Sequence, residues 1–289
     1  MMAIMLVFAV TMVSWSLLDM QDTSIHRAAG IKERAEAVEL VRLAVSRTSG
    51  RLVESTGGLD LHQEAVLDLS LGEGVRVEVT GEQGKINLNN VVVDEKPNAI
   101  GITAFMRLLK KMDLPQELAD TLTDWIDPDN KRRMPSGAED EYYLGLSPPR
   151  LTGGRYLAAP GELASVKGFG MEEVDMLTPH VTALPEMTEL DINSATAYAL
   201  AASIDGLDVE DAQRLVEERK SRPFKNMADF RARLPRKVSG VREQDLTLDA
   251  RYFMVAAETT GDGAWVRLEA LVKVDKEKKT VRTIWRRSI

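Results

Sequence analysis

The sequence predicts an α+β protein: a long N-terminal helix, a small antiparallel sheet, and a large all-α block that interrupts the sheet. Three observations carry this. An uncharged apolar start runs into an amphipathic helical pattern; strand-like alternation occurs near 75–89 and again from 246 to 285; and the stretch from Asn98 to Arg242 between them reads as short helices divided by turn signals.

Met1 to Leu18, MMAIMLVFAVTMVSWSLL, has no charged side chain, and Asp19 is the first charge. About 18 residues at a rise of about 1.5 Å make about 27 Å of helix, close to the hydrocarbon core of a bilayer. Thr11, Ser14 and Ser16 fit such a helix, because a helical hydroxyl can bond a carbonyl one turn back. A membrane helix is the expectation. The alternatives are a buried core helix and a cleavable signal peptide, but the latter needs a basic region before the apolar run and small residues at a cleavage site after it, and neither is visible.

The helical pattern continues through Ile31, Ala35, Val38, Val41 and Val45, with Lys32, Glu33, Arg34, Glu36, Glu39 and Arg42 around them. No proline interrupts before Pro97, and Gly30 is the one weak point. A single helix from Met1 to Arg47 would be about 70 Å long, one end in lipid and the other on a globular head. Arg27, Lys32 and Arg34 just after the apolar run favour a cytoplasmic head by the positive-inside rule. A basic segment removed from the front would restore the balance for a head on the other side.

Thr48-Ser-Gly50 and Ser55-Thr-Gly-Gly58 signal loops after the helix. Val75 to Thr80 alternates strictly, Gly81 to Gly84 reads as a turn, and Lys85 to Asn89 alternates again, which predicts a hairpin. Helical patterns follow. Ala104, Leu108, Leu109 and Met112 share a face, and Pro115 opens a helix through Leu118, Leu122 and Trp125 that Asp127-Pro128 stops. Shorter helices are predicted near 160–167, 171–177, 194–203, 208–219 and 226–232. Leu246 to Ala257, Ala264 to Val274 and Lys279 to Trp285 then read as an antiparallel meander that supplies partners for the early hairpin. The division is 1–26 for the membrane part, 27–97 for the rest of the helix and the hairpin, 98–242 for the inserted helical block, and 243–289 for the late strands.

Composition excludes several chemistries. The chain has 289 residues, a net charge of −8 and no cysteine, which argues against a nucleic-acid partner and removes disulfides, cysteine nucleophiles and thiolate metal sites. His26, His62 and His180 have no ligand spacing, no Gly-x-Ser-x-Gly elbow is present, and Lys167-Gly-Phe-Gly170 lacks the third glycine of a phosphate loop. Nothing in the pattern prepares an active site, and no enzyme is expected.

An abrupt apolar start, Gly84-Lys-Ile-Asn-Leu-Asn89, Asp124-Trp-Ile-Asp-Pro-Asp129 followed by Gly137-Ala-Glu-Asp140, and Leu190-Asp-Ile-Asn-Ser-Ala195 together resemble the type IV pilin and pseudopilin class, and within it the K-type minor pseudopilins of type II secretion. The resemblance implies a pilin-like fold and a fibre subunit anchored by one pass in the inner membrane, with a periplasmic head and a leader removed by prepilin peptidase. It implies partnership with the I-type and J-type minor pseudopilins, other pseudopilins, the inner-membrane secretion platform and secreted substrates. It also implies a place at the fibre tip, where the protein starts assembly of a fibre that exports folded proteins across the outer membrane. Pilins resemble one another in carrying a glutamate at position 5; this chain has Met5. A carboxylate in hydrocarbon is costly unless paired, and a tip subunit has no neighbour above it to pair with.

Asp124, Asp127, Asp129, Glu139, Asp140 and Glu141 flank one polar loop. Oxygen ligands at this density suit Ca²⁺, although the spacing is not that of an EF-hand. The plain alternative is a helix stop, a turn and a cap. The K-type resemblance implies calcium here, at Asp124, Asp127, Asp129, Glu139 and Asp140.

Leu190 to Thr196, Ile204-Asp-Gly-Leu-Asp208, Ala212, Val216, Arg219 and Phe224 to Phe230 resemble helix-hairpin-helix modules, and Leu163 to Thr182 looks like a degenerate second copy. The competing function is therefore a membrane-anchored DNA-binding or uptake protein. Against it, Gly206 stands between Asp205 and Asp208, and residues 151–240 hold 11 Lys and Arg against 14 Asp and Glu. A helical scaffold reused for protein contacts is the preferred reading.

Overall fold

The computed structural model describes residues 30–52, 65–67, 74–238, 240–260 and 263–288, together with Met12, Trp15 and Met20. The chain forms two units. The first begins with helix α1 over 30–52. Its buried stripe is Ala37, Val41, Ala44, Val45, Thr48, Ser49 and Leu52, at helical steps. The two buried hydroxyls are satisfied one turn back, Thr48 Oγ1 on the Ala44 carbonyl (2.8 Å) and Ser49 Oγ on that of Val45 (2.7 Å). The expected stripe is corrected at its start: Ile31 is 72% exposed and Ala35 is exposed, so burial begins at Ala37. In the turn before it, Glu33 instead accepts from the Ala264 N–H (3.1 Å). The expected membrane helix and Met5 lie outside the described residues, apart from Met12, Trp15 and Met20, which are helical. Among the described residues no helix is long and apolar enough to cross a membrane.

Strands β1 (Ala65–Leu67) and β2 (Val75–Gly81) follow, antiparallel, with Ala65 opposite Val79. Along β2 the valines at 75, 77 and 79 are buried and alternate with less buried positions.

The second unit takes the chain from Thr80 to Phe253 among the described residues. It opens with a 3₁₀ turn at Glu82–Gly84, β3 (Ile86–Asn87), a second 3₁₀ turn at Leu88–Val91, and the pair β4 (Val92–Val93) and β5 (Lys96–Pro97). Helices α2 (Ala99–Lys111), α3 (Leu118–Ile126), α4 (Asp140–Leu144) and α5 (Met171–Leu177) come next. Then follow β6 (Val181–Thr182), β7 (Leu190–Asp191), α6 (Ala197–Ser203), α7 (Val209–Ser221), α8 (Met227–Arg233) and β8 (Leu246–Thr247). Side-chain N-caps start four of the helices: Asn98 for α2, Thr196 for α6, Asp208 for α7 and Asn226 for α8. One apolar core joins the unit. Phe105, Leu108 and Leu109 of α2 share it with Leu122 and Ile126 of α3, Leu200 of α6 and Phe230 of α8.

The chain then returns to the first unit through β9 (Tyr252–Thr259), β10 (Arg267–Asp275) and β11 (Thr280–Ser288). The sheet order is β1-β2-β9-β10-β11. β10 and β11 are antiparallel, and the register breaks between Leu271 and Val272, where Ile284 is an extra residue on β11.

The α+β class stands, and two pairings and the extent of the second unit differ from expectation. Lys85 to Asn89 is not the second arm of a hairpin with 75–80; Ile86–Asn87 pairs in parallel with β6, Ile86 opposite Val181. The alternation misled because Asn87 and Asn89 are as buried as their apolar neighbours. Leu246 to Ala257 is not one strand: Leu246–Thr247 pairs in parallel with β7, and β9 starts only at Tyr252. Between them the Gln83 side chain accepts from the Arg251 and Tyr252 N–H groups (2.6 and 3.2 Å) and takes the place of a ladder bond. For the same reasons the second unit is wider than the expected 98–242. The stretch 80–97 and the stretch 243–253 belong to it through β3, β4, β5 and β8.

Candidate metal centre

α3 ends because Pro128 disfavours helical backbone at Asp127, which sits at φ −70°, ψ 152°. The helix's last turn holds Asp124, fully buried, beneath the loop that follows. That loop winds around the Asp124 carboxylate: Oδ2 accepts from the Arg133 N–H at 3.0 Å. Gly137 makes the close pass possible. A Cβ there would stand 2.0 Å from Asp124 Oδ2 and under 3 Å from the Arg133 backbone. Aromatic packing closes the floor, with Trp125 edge-on to Tyr143 (4.9 Å between centroids) and Gly153 against the Trp125 indole. The Tyr143 hydroxyl accepts from the Lys167 N–H at 3.0 Å.

On this frame Asp127, Asp129 and Glu139 converge, one carboxylate oxygen from each within 4.8 Å of the others. Asp127 and Glu139 are buried and Asp129 is exposed. Asp124 Oδ1, Asp127 Oδ1 and both Glu139 oxygens are buried without a hydrogen-bond partner. Buried polar atoms nearly always have one, and a buried carboxylate without one is costly. Burial pushes Asp124 and Asp127 up to about 6, with neighbouring aspartates adding to the rise. Burial and then Asp124, Asp127 and Asp129 push Glu139 to about 8. The Arg133 guanidinium, whose charge offsets part of the rise at Asp124 and Asp127, is bonded to Asp120 (Nε to Oδ1, 3.3 Å). An all-oxygen donor set with orphaned oxygens, none of them paired with a cation among the described residues, fits Ca²⁺. Asp127, Asp129 and Glu139 would hold the ion, with Asp124 behind them, and the ion would remove their mutual repulsion.

Asp140 departs from the expected set. Its Oδ1 accepts from the Thr152 N–H and hydroxyl, both at 2.9 Å, and so ties the start of α4 to the segment after Pro149. Glu141 is exposed and outside the cluster. Met5 lies outside the described residues.

Residues whose alternation reads as strand, within the Gly84–Asn89 stretch, prove to be a polar hub. Asn89 donates to the Leu157 and Leu184 carbonyls (3.0 and 2.9 Å) and accepts from the Leu157 N–H (2.9 Å). Asn87 accepts from the Leu184 N–H and donates to the Glu186 carbonyl. Gly84 lies against the Ser194 backbone, where a Cβ would stand 2.2 Å from the carbonyl oxygen, and its own carbonyl accepts from Thr196 N–H at 2.9 Å. The Gly84–Asn89 and Leu190–Ala195 stretches are thus one packed feature. Two asparagines at alternate positions of an apolar run were the available signal. In the helix-hairpin-helix-like segment, Gly206 turns at φ +78°. Three nearby cations are held by the hairpin itself: Arg107 by Asp205 (2.9 Å), Lys237 by Asp208 (2.5 Å) and Asp211 (2.6 Å), and Lys111 by the Leu207 carbonyl (2.8 Å).

Residues 84–186 and 190–249 match the two family models described as Type II secretion system (T2SS), protein K. Type II secretion system protein K of Pseudomonas aeruginosa is 30% identical over 254 residues, 85% of this chain and 75% of that protein. The Aeromonas hydrophila protein of the same name is 28% identical over 76% of this chain and 72% of its own. Among solved structures, a chain in the crystal structure of the GspK-GspI-GspJ complex from the enterotoxigenic Escherichia coli Type 2 Secretion System is similar at a TM-score of 0.67 and 21% identity. The match covers 89% of this chain and 99% of that one. With both models falling on the unit that carries the acidic loop, and a relative this similar along most of its length, the chain belongs to the type II secretion system protein K family.

Proposed function

We propose that this chain is a minor pseudopilin that occupies the tip of the type II secretion pseudopilus and starts its assembly with I-type and J-type minor pseudopilins, in support of the export of folded proteins. The observation that carries the reading is the architecture of a family member: a helix-and-sheet unit interrupted between adjacent strands β2 and β9 by a unit of more than half the chain. A subunit so enlarged suits the end of a fibre better than its shaft. The similar solved chain comes from a complex with GspI and GspJ, which supports partners of those two types. On α1, Ile31, Leu40 and Leu43 are exposed apolar side chains that a neighbouring helix can cover. The uncharged start, with Met5 where pilins carry glutamate, supports a single-pass inner-membrane anchor below a periplasmic head. The role is structural rather than catalytic, and it needs no nucleic acid, since the hairpin around Gly206 is lined by its own aspartates.

The same reading includes a structural Ca²⁺ at Asp127, Asp129 and Glu139, supported by the orphaned buried oxygens. Two experiments test these readings. The full chain in detergent should co-purify with I-type and J-type minor pseudopilins, and its loss should abolish both pseudopilus formation and exoprotein release. Elemental analysis should find calcium in the protein purified without chelator. Failure to bind either partner would refute the first reading, and absence of metal the second.

A further inference from the structure

The first unit has a second charged feature, unrelated to the acidic loop. A cleft of about 780 Å³ opens between α1 and the strands β10 and β11. Its floor is apolar, formed by Leu268, Ala270 and Val281, and its walls carry Arg42, Lys279 and Arg286. Among the described residues no carboxylate lines it. Arg42 is bonded to Glu39, one turn earlier (2.6 Å), while neither Lys279 nor Arg286 pairs with an acid among the described residues.

The bulge in β11 places the key residue. Val281 and Thr283 lie opposite Val274 and Val272, and alternation alone would put Trp285 next on the same face. The extra residue at Ile284 shifts the phase, so that Arg286, opposite Ala270, reaches the cleft and Trp285 goes to the other face with Leu271. Bulges commonly re-aim a side chain in this way. The surroundings share the sign. Residues 276–288 hold six Lys and Arg against Glu277 alone, and α1 after Glu39 holds Arg42, Arg47 and Arg51 with no acid, in a chain of net charge −8. Basic residues in a helix's last turns also suit its dipole, but that accounts for neither Arg286 nor Lys279. β11 is the edge strand of the sheet.

We infer that this cleft receives a carboxylate-rich segment of the neighbouring minor pseudopilin, an apolar side chain of that segment seated on Leu268 and Val281 and its acids on Arg286 and Lys279. The inference rests on the proposed place among I-type and J-type partners. A concave site with an apolar floor suits a peptide segment rather than a flat lipid surface. The chain's own acidic residues between α1 and β1, Glu54, Asp60 and Glu64, are the competing occupant that the test separates.

The test measures the affinity of the full chain in detergent for purified I-type and J-type minor pseudopilins at two salt concentrations. Wild-type binding should weaken as salt rises, and Lys279→Glu with Arg286→Glu should weaken it by about tenfold at low salt. Arg282→Glu, opposite Lys273 on the other face, should leave binding unchanged. Equal binding by wild type and the double variant overturns the cleft while leaving the proposed function standing; absence of wild-type binding overturns both. Vesicles containing phosphatidylglycerol are the control probe, and loss of vesicle binding alone in the double variant would assign the cleft to lipid and overturn the inference. An equal fall in the melting temperature of the isolated chain on the double reversal and on neutralising Glu54, Asp60 and Glu64 would assign it to the chain's own segment, with the same consequence.

Discussion

Asp127→Asn separates a metal ligand from a helix-ending residue, because the two roles predict opposite signs. Asp127 is 3% exposed, and burial with Asp129 and Asp124 nearby raises it from 3.8 to about 6. A raised carboxylate favours its protonated form in the fold. Its contribution is therefore fully present below about pH 4 and lost as pH rises through about 6. A shift of about two units corresponds to about 3 kcal/mol at neutral pH. Asparagine cannot ionise and removes that cost, although its amide inherits the unpartnered position of Oδ1, which returns about 1 kcal/mol. In chelator at pH 7.5 the variant should be more stable by about 2 kcal/mol, a rise in melting temperature of about 5 °C. Near pH 4 the advantage should vanish. With calcium at a hundredfold excess over its dissociation constant, wild type should gain about 2.7 kcal/mol and the variant nothing, so the advantage closes or reverses. Thermal melts of both full-length proteins in detergent, in chelator and in calcium at the two pH values, read all four quantities. A variant that melts lower than wild type by the same amount in every condition would refute the reasoning and leave Asp127 as an ordinary turn residue.

The other expectations follow from neighbouring geometry. Calcium affinity should rise steeply between about pH 6 and 8, as Glu139 loses the proton that burial and the aspartates hold on it up to about 8; isothermal titration across that range checks this, and magnesium should bind more weakly because it gives up water reluctantly. Gly137→Ala should cost about 1–3 kcal/mol and lower calcium affinity, because its Cβ meets Asp124 and the Arg133 backbone, whereas Gly161→Ala, with open space around it, should change neither. Asn89→Ala should destabilise the second unit by about 3–5 kcal/mol in urea melts, since three buried backbone groups lose their partners. Replacing residues 83–250 by a short Gly-Ser turn should leave β-sheet circular dichroism and a cooperative melt intact, because β2 and β9 are neighbours in the sheet; removing only 98–242 should keep the sheet signal but lower the melting temperature relative to the longer deletion, because β3 and β8 then lose their partners β6 and β7 and leave apolar stubs exposed.

What can be read along the chain is what short-range physics sets. The helix beginnings at Asn98, Thr196, Asp208 and Asn226 depend on a side chain reaching an N–H two or three residues on, and the end of α3 depends on Pro128 acting on its own neighbour. The acidic cluster was visible for the same reason, since Asp127, Asp129 and Glu139 lie within one loop. Its membership was not. Asp140 is next to Glu139 in sequence, yet the fold turns it to Thr152, and Gly137 matters only because the loop is wound against Asp124.

Strand partners were the least legible part. A period of two reports that one side of a segment differs from the other, and it carries no address for the partner. β3 found β6 almost a hundred residues away, and its asparagines alternate because they are a buried hydrogen-bonding hub rather than a wet face. The single residue that turns Arg286 into the cleft is equally silent in the sequence, since Ile284 looks like any other strand residue until β10 sets the register. The sequence by itself determined most of the helices, the late strands β10 and β11, and the family, through local backbone preferences and recurring short motifs. The tertiary structure alone decided which buried polar groups meet, because that depends on contacts whose two halves are separated by most of the inserted unit.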